Sequence, residues 1–278
     1  MVLAVVCPGQ GSQRNLAGAF PYPVPDGVDI DATEIAQPLI VSASLTSFCA
    51  QRSEVAESLR PKLVAGHSVG MLAAFAIAGA YSFETARELA EIRGRLFRDS
   101  ATPRSSAQND GGGGMSAVIG RDALRVFSEL NSPLEVAVVN SDTQIVVAGP
   151  LAELDKLKDN APRGLRISPL PVSGAFHTEA MRPAVDPFAQ ALASKDIGDP
   201  KIPVISDLTG EIITTGVIEH LLKQITNPVR WDLVTEQLKA HNPSQVIELA
   251  PSGTLTALLK RAGLPAIPVE QLTELETY

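Results

Sequence analysis

The sequence predicts an α/β fold in which a large domain on a parallel sheet is interrupted by a small inserted unit. Three observations lead there. Short apolar runs at 2–6 and 62–65 end in glycine-containing turns, and the second passes directly into a helical stretch at 71–80; strand–turn–helix is the repeating unit of a parallel sheet. Residues 115–172 read as strand, helix, two strands, helix and strand, the β-α-β-β-α-β order of a ferredoxin-like unit. Helix and strand then alternate again, so the large domain is expected to be discontinuous, 1–113 with 174–278, around a small domain at 114–173.

Taken in order, the first strand at 2–6 ends in the turn Pro8-Gly9-Gln10-Gly11-Ser12-Gln13, and Cys49 falls in an expected helix. After strand 62–65 and helix 71–80, a second helix starts at Ser82, whose hydroxyl can cap it. Glu84 in its first turn and Arg93, Arg95 and Arg98 toward its end suit the helix dipole. Residues 99–114 carry Pro, Ser, Asn, Asp and four consecutive glycines. With no Lys-Ser/Thr pair or helix following, they make no phosphate loop and read as a flexible linker. The inserted unit comprises strand 115–119, helix 121–130, strands 134–139 and 144–148, helix 151–160 and strand 165–172. Beyond it come a helical stretch at 177–194, strand 202–206, helical segments at 217–225 and 231–241, and strand 245–249.

With 278 residues, 45% of them hydrophobic, the chain can bury a sizeable core. Two cysteines and four scattered histidines make neither a disulfide framework nor a metal cluster, so no metal is expected and a reducing, cytoplasmic setting fits best. No apolar run reaches the roughly 18 residues of a membrane span, and the apolar N-terminus lacks a basic leader. A net charge of -8 without a basic block argues against nucleic acid as the main ligand.

The chemistry centres on Gly66-His67-Ser68-Val69-Gly70. Between a strand and a helix, G-x-S-x-G is the context of a nucleophile elbow, with the serine at the apex and the Val69 amide available to a developing oxyanion. The plainer reading of Ser68 is a helix N-cap. A serine nucleophile needs a base. His67 is fixed beside it, His220 sits on a polar helical stretch and His241 lies in an Asn-Pro turn, which leaves His177 as the best candidate unless it is an ordinary loop histidine. A helix N-terminus after His177 would keep its imidazole neutral. Arg93 lies in register with Ala86, Ala90 and Phe97, so a guanidinium falls on an apolar stripe and must find an anion. Two partners are open: a structural acid, or a substrate carboxylate gripped by a bidentate fork. The turn at Pro8–Gln13 is either a tight connection or the other half of an oxyanion hole.

Together, Pro8-Gly9-Gln10-Gly11-Ser12-Gln13, the Ser68 elbow, Arg93 in Ile-Arg-Gly, Asn140-Ser141, His177 after Pro-Val-Ser, and Asn227-Pro228-Val229-Arg230-Trp231 resemble the malonyl-CoA:acyl-carrier-protein transacylase family from end to end. VSGAFHTEAM and NPVRWDL look most like its actinobacterial members of type II fatty acid synthesis. The resemblance implies an α/β-hydrolase-like large domain with a ferredoxin-like small one, malonyl-CoA as donor, acyl carrier protein as partner and no bound cofactor. It implies Ser68 as nucleophile, His177 as general base and acid, the backbone carbonyl of Gln224 behind the imidazole, and the amides of Gln10 and Val69 as oxyanion hole. Arg93 would grip the malonyl carboxylate, and Asn140 matches a cleft-lining position. Family carriers are acidic, so a basic face is expected; Arg95, Arg98, Arg104 and Lys62 are its candidates, with solvated surface charge the plainer reading of each.

Two features depart from the family. Met71 stands where a glutamate usually supports the site, and the stretch from Arg14 to Asp31 is shorter than usual, with a helix before Ala36-Gln37-Pro38 expected to be missing. Two rivals follow: a serine esterase or thioesterase, with Asp142 or Asp155 as nominal acid, and a carrier-binding paralogue weakened by Met71.

Overall fold

A computed structural model describes residues 2–15, 27–54, 61–101 and 112–272. Six strands form the larger sheet: β1 (Leu3–Cys7), β2 (Leu63–Gly66), β7 (Val204–Ile205), β8 (Ile212–Ile213), β10 (Gln245–Glu248) and β11 (Ala266–Pro268), in the order β11-β10-β1-β2-β7-β8. All neighbours pair parallel except β7 with β8. Every residue of β1 and β2 is buried, which is why they read as unbroken apolar runs rather than alternating ones: helices cover both faces of a parallel sheet.

The second sheet takes β3 (Gly113–Ile119), β4 (Glu135–Ser141), β5 (Gln144–Pro150), β6 (Arg166–Pro169) and β9 (Val229–Arg230) in the order β6-β3-β5-β4-β9. Its first four strands pair antiparallel, with α4 (Ala123–Ser128) and α5 (Leu151–Asp159) as the connections of a split β-α-β unit. A core of its own, including Val118, Phe127, Ile145, Val147 and Leu154, lies on one face. Met115, Ala137, Val138, Val146 and Ala148 on the other face join the main core. β9 departs from the expected division: it comes from the C-terminal part of the chain yet pairs parallel with β4.

α1 (Thr33–Glu54) packs on α3 (Phe83–Ala101), with α2 (Gly70–Ile77) close by. Ser82 caps α3 as expected, its Oγ accepting the Thr85 amide at 3.0 Å. Of the expected linker, residues 99–101 close α3 and Gly113 and Gly114 open β3, whereas 102–111 lie outside the described residues. The strand expected at 165–172 is β6 alone, and the helical stretch at 177–194 splits into a 3-10 turn (Glu179–Ala184) and α6 (Val185–Ala193). Pro183 accounts for the break, since it has no N–H for an α-helical bond. α7 (Val217–Thr226), α8 (Trp231–His241) and α9 (Thr254–Arg261) complete the α-helices among the described residues.

Candidate active site

β2 delivers the nucleophile. The His67 amide bonds Cys7 O at 3.0 Å, and α2 begins two residues after Ser68, which turns the chain at φ 52°. Holding a non-glycine residue there costs about 1–3 kcal/mol, and Asp207 offsets it by accepting the Ser68 amide on Oδ2 at 3.0 Å. The flanking glycines are obligatory: a Cβ on Gly66 would overlap the backbone of Gly70 and Met71, and one on Gly70 would overlap the Cys7 carbonyl.

The Ser68 hydroxyl lies 2.7 Å from His177 Nε2, and His177 Nδ1 lies 2.8 Å from the backbone oxygen of Gln224. A carbonyl can only accept, so Nδ1 carries the ring proton and Nε2 is the acceptor for the serine hydroxyl. Burial, and after it the charge of Arg93, push the imidazole down to about 4, so the ring is neutral at pH 7. The helix N-terminus expected to keep it neutral is only the six-residue 3-10 turn; burial takes its place. Asp142 and Asp155, the acids a hydrolase triad would use, are exposed on the β4–β5 turn and on α5.

Arg93 lies on the buried face of α3 with Ala86, Leu89, Ala90, Gly94 and Phe97, as its spacing predicts. It is 1% exposed, and its partners are neutral: Nη1 donates to Gln37 Oε1 at 2.7 Å and Nη2 to Gln224 Oε1 at 3.0 Å, with Ser68 Oγ 3.5 Å away. Nε has no partner among the described residues, and the guanidinium stands 4.1 Å from the centre of the Phe97 ring. Of its two open readings, the structural acid is absent among its hydrogen-bond partners. Burial lowers its pKa to about 9, so it stays cationic at neutral pH. Gly94 makes the Gln37 contact possible, since a Cβ there would press on Glu34 Cα at 2.9 Å and hold α3 off α1.

A side-chain chain runs from this arginine to the first turn. Gln37 Nε2 donates to Thr33 Oγ1 at 2.9 Å, and Thr33 Oγ1 donates to Gln10 Oε1 at 2.9 Å. The Gln10 side chain is thereby engaged away from the serine. Neither the Gln10 amide nor the Val69 amide donates to a described residue, which leaves both available to an oxyanion. Asn140 Oδ1 lies 3.2 Å from His67 Nε2. Gln10, His67, Ser68, Asn140, Phe176 and His177 line a cavity of about 430 Å³, to whose lining Arg261 of α9 also belongs.

The geometry thus brings Ser68, His177, Gln224 and Arg93 into one cluster, with Gln10 and Asn140 on the cavity wall. Sequence reasoning missed Gln37, Thr33, Asp207, His220 and the Gln224 side chain; Thr33-x-x-x-Gln37 at helical spacing, opposite a buried arginine, was the available signal for two of them. Of the candidates for a basic face, Arg95 lies 3.9 Å from Glu91 and Arg98 pairs with Asp99 and Glu34. Lys62 is exposed, and Arg104 falls outside the described residues. Among the described residues no group of three or more His, Cys, Asp or Glu could hold a metal ion, and no helix is long and apolar enough to cross a membrane.

A hydroxyl bonded to a neutral imidazole, with free amides beside it and a cleft in front, defines the class: enzymes that pass acyl groups through a serine ester. The chain belongs to the acyl transferase domain family, which matches residues 25–275. It is 38% identical over 253 residues, 89% of this chain and 82% of the relative, to the malonyl CoA-acyl carrier protein transacylase of Mycobacterium tuberculosis. A crystal structure of MCAT from Mycobacterium tuberculosis superposes with TM-score 0.82 at 35% identity, covering 96% of both chains. A type II polyketide acyl-carrier protein in complex with its malonyl-transacylase gives TM-score 0.82 at 29% identity, covering 96% of this chain and 95% of that one.

Proposed function

We propose that this chain transfers a malonyl group from malonyl-CoA to the phosphopantetheine thiol of acyl carrier protein, in fatty acid biosynthesis, through a malonyl ester on Ser68. Ser68 gives its proton to His177 Nε2 as its oxygen attacks the thioester carbon, and the oxyanion is met by the amides of Gln10 and Val69. The C–S bond breaks, and the coenzyme A sulfur takes the proton from His177. In the second half the carrier's thiol gives its proton to His177 and attacks the ester, and Ser68 leaves with that proton restored. The carbonyl of Gln224 orients the ring in both halves. Asn140 and Gln10 serve as substrate-binding walls. A position in the cytoplasm and a domain division at 113/114 and 173/174 belong to the same proposal; the separate core of the split unit supports an inserted domain, although β3 already begins at Gly113.

The observation that carries the malonyl assignment is Arg93: a buried cation beside Ser68, with only neutral partners and an unpaired Nε. The buried anion nearest in effect, Asp207, reaches Arg93 only across the Gln224 side chain; a buried charge with no directly bonded counter-ion is costly, and an acyl group ending in a carboxylate supplies one. Acetyl does not. The esterase reading lacks support from His177, whose Nδ1 faces a carbonyl rather than an acid. Met71 is fully buried in the main core with the cluster intact above it, so nothing in the site favours a weakened paralogue. The test is to incubate the protein separately with malonyl-CoA and acetyl-CoA and weigh it by mass spectrometry. Wild type gains malonyl and little acetyl, Ser68→Ala gains neither, and Arg93→Ala loses the preference for malonyl. Equal acetyl loading of wild type refutes the role of the arginine, and free acid without an adduct favours the esterase.

A further inference from the structure

Beneath the elbow lies a buried pair that none of the steps above uses. Asp207 follows β7 and is fully buried; His220 of α7 is 8% exposed. His220 Nε2 donates to Asp207 Oδ1 at 3.0 Å, while Oδ2 accepts from the Ser68 amide at 3.0 Å and from Gln224 Nε2 at 2.8 Å. The His220 ring meets Phe75 edge-on, with centroids 5.6 Å apart. A carboxylate this deep is tolerable only when its oxygens are bonded, and here both are.

The pair's leverage falls on Gln224. A carboxamide keeps its shape when turned end for end, but donor and acceptor exchange places. In this site Nε2 is bracketed by two acceptors, Asp207 Oδ2 and the Ser68 carbonyl at 3.0 Å. Oε1 must therefore face the other way, where it accepts from Arg93 Nη2 at 3.0 Å. Reversed, the amide would set donor against donor at the guanidinium. We propose that Asp207, held by His220, is a positioning and specificity-determining residue: by fixing the polarity of the Gln224 side chain it aims Arg93 at the carboxylate of the bound acyl group, while steadying the Ser68 amide. The first turn of α2 carries no acid of its own, Met71 standing there, and Asp207 places a carboxylate under that turn from just beyond β7.

This inference rests on the malonyl-transfer reading, and the experiment separates the two. Malonyl and acetyl loading of Ser68 are measured as kcat/KM for wild type, Asp207→Leu, Gln224→Leu and the double variant, with Tm recorded for each. In Asp207→Leu the malonyl-to-acetyl ratio falls about tenfold, chiefly through KM for malonyl-CoA, and the double variant falls no further than the lower single. A residue that merely supported the fold would lower both loading rates and leave their ratio alone. A ratio within twofold of wild type, or effects that multiply in the double variant, overturns the proposal. If Asp207→Leu does not fold, His220→Phe decides, since it can pack on Phe75 while removing only the donor to Oδ1. A fall of about threefold or more in the ratio supports the pair, and an unchanged ratio overturns it. Wild type that takes no malonyl at all refutes the transfer reading instead.

Discussion

The pH dependence of serine activation follows directly from the burial of His177. With its imidazole pushed down to about 4, roughly one ring in a thousand is protonated at pH 7, against about one in four for a solvated histidine. A protonated ring cannot accept the Ser68 proton, so reactivity is lost below the folded pKa and is independent of pH well above it. A neutral sulfonyl fluoride reads this without ionisations of malonyl-CoA intruding: Ser68 displaces fluoride, and the sulfonyl ester is counted by mass. The labelling rate of the free protein is expected to be flat from pH 8 to about 5.5 and to halve near pH 4. Arg93→Leu removes the second cause of the depression, so its midpoint moves upward, toward the ordinary histidine range. Ser68→Ala gives the blank. A wild-type midpoint between pH 6 and 7 would refute the argument, because it would mean that burial and the guanidinium do not outweigh the opposing pull of the Gln224 carbonyl and Asp207.

Two further outcomes test the framework around the site. Gly70→Ala forces a methyl onto the Cys7 carbonyl, so it is expected to cost about 3 kcal/mol and to abolish labelling of Ser68, whereas Gly198→Ala, whose Cβ would meet only Ala80 O at 3.9 Å, leaves both Tm and labelling unchanged. Glu248, fully buried at the end of β10, accepts the amides of Gly253, Leu255 and Thr256 at 2.7–2.9 Å and so fixes the start of α9. Glu248→Leu leaves three donors unmet; a loss of roughly 3 kcal/mol, or about 6–12 °C in Tm, is expected from thermal denaturation, together with a raised KM, because α9 lines the cavity.

How much was legible in the sequence depended on whether the signal was local. The elbow could be read because Gly66, Ser68 and Gly70 state its geometry within five residues, and the Arg93 stripe because helical spacing marks a buried face. Asp207 and His220 could not. Asp207 sits in a Ser-Asp-Leu-Thr-Gly turn of ordinary composition, and His220 lies among Glu219 and Lys223 on a helix that looks solvated until Asp207 and Phe75 close over it. β9 escaped for a similar reason: two residues carry no periodicity, and their partner, β4, lies in the inserted unit some ninety residues earlier in the chain. α1 went largely unpredicted because Pro38 interrupts its pattern, although the helix accommodates it.

β9 also bears on what the hollow can hold. Val138 and Val139 of β4 pair with Val229 and Arg230, so Asn140 on one wall and the Gln224 carbonyl behind the imidazole hang from the same two-rung ladder. Drawing the inserted unit away from the segment that carries β9, to admit a thicker acyl chain, would snap those rungs and drag the base out of line with its serine. Room for larger substituents must therefore come from trimming side chains on the cavity wall, and an engineer widening the donor range would leave the ladder intact.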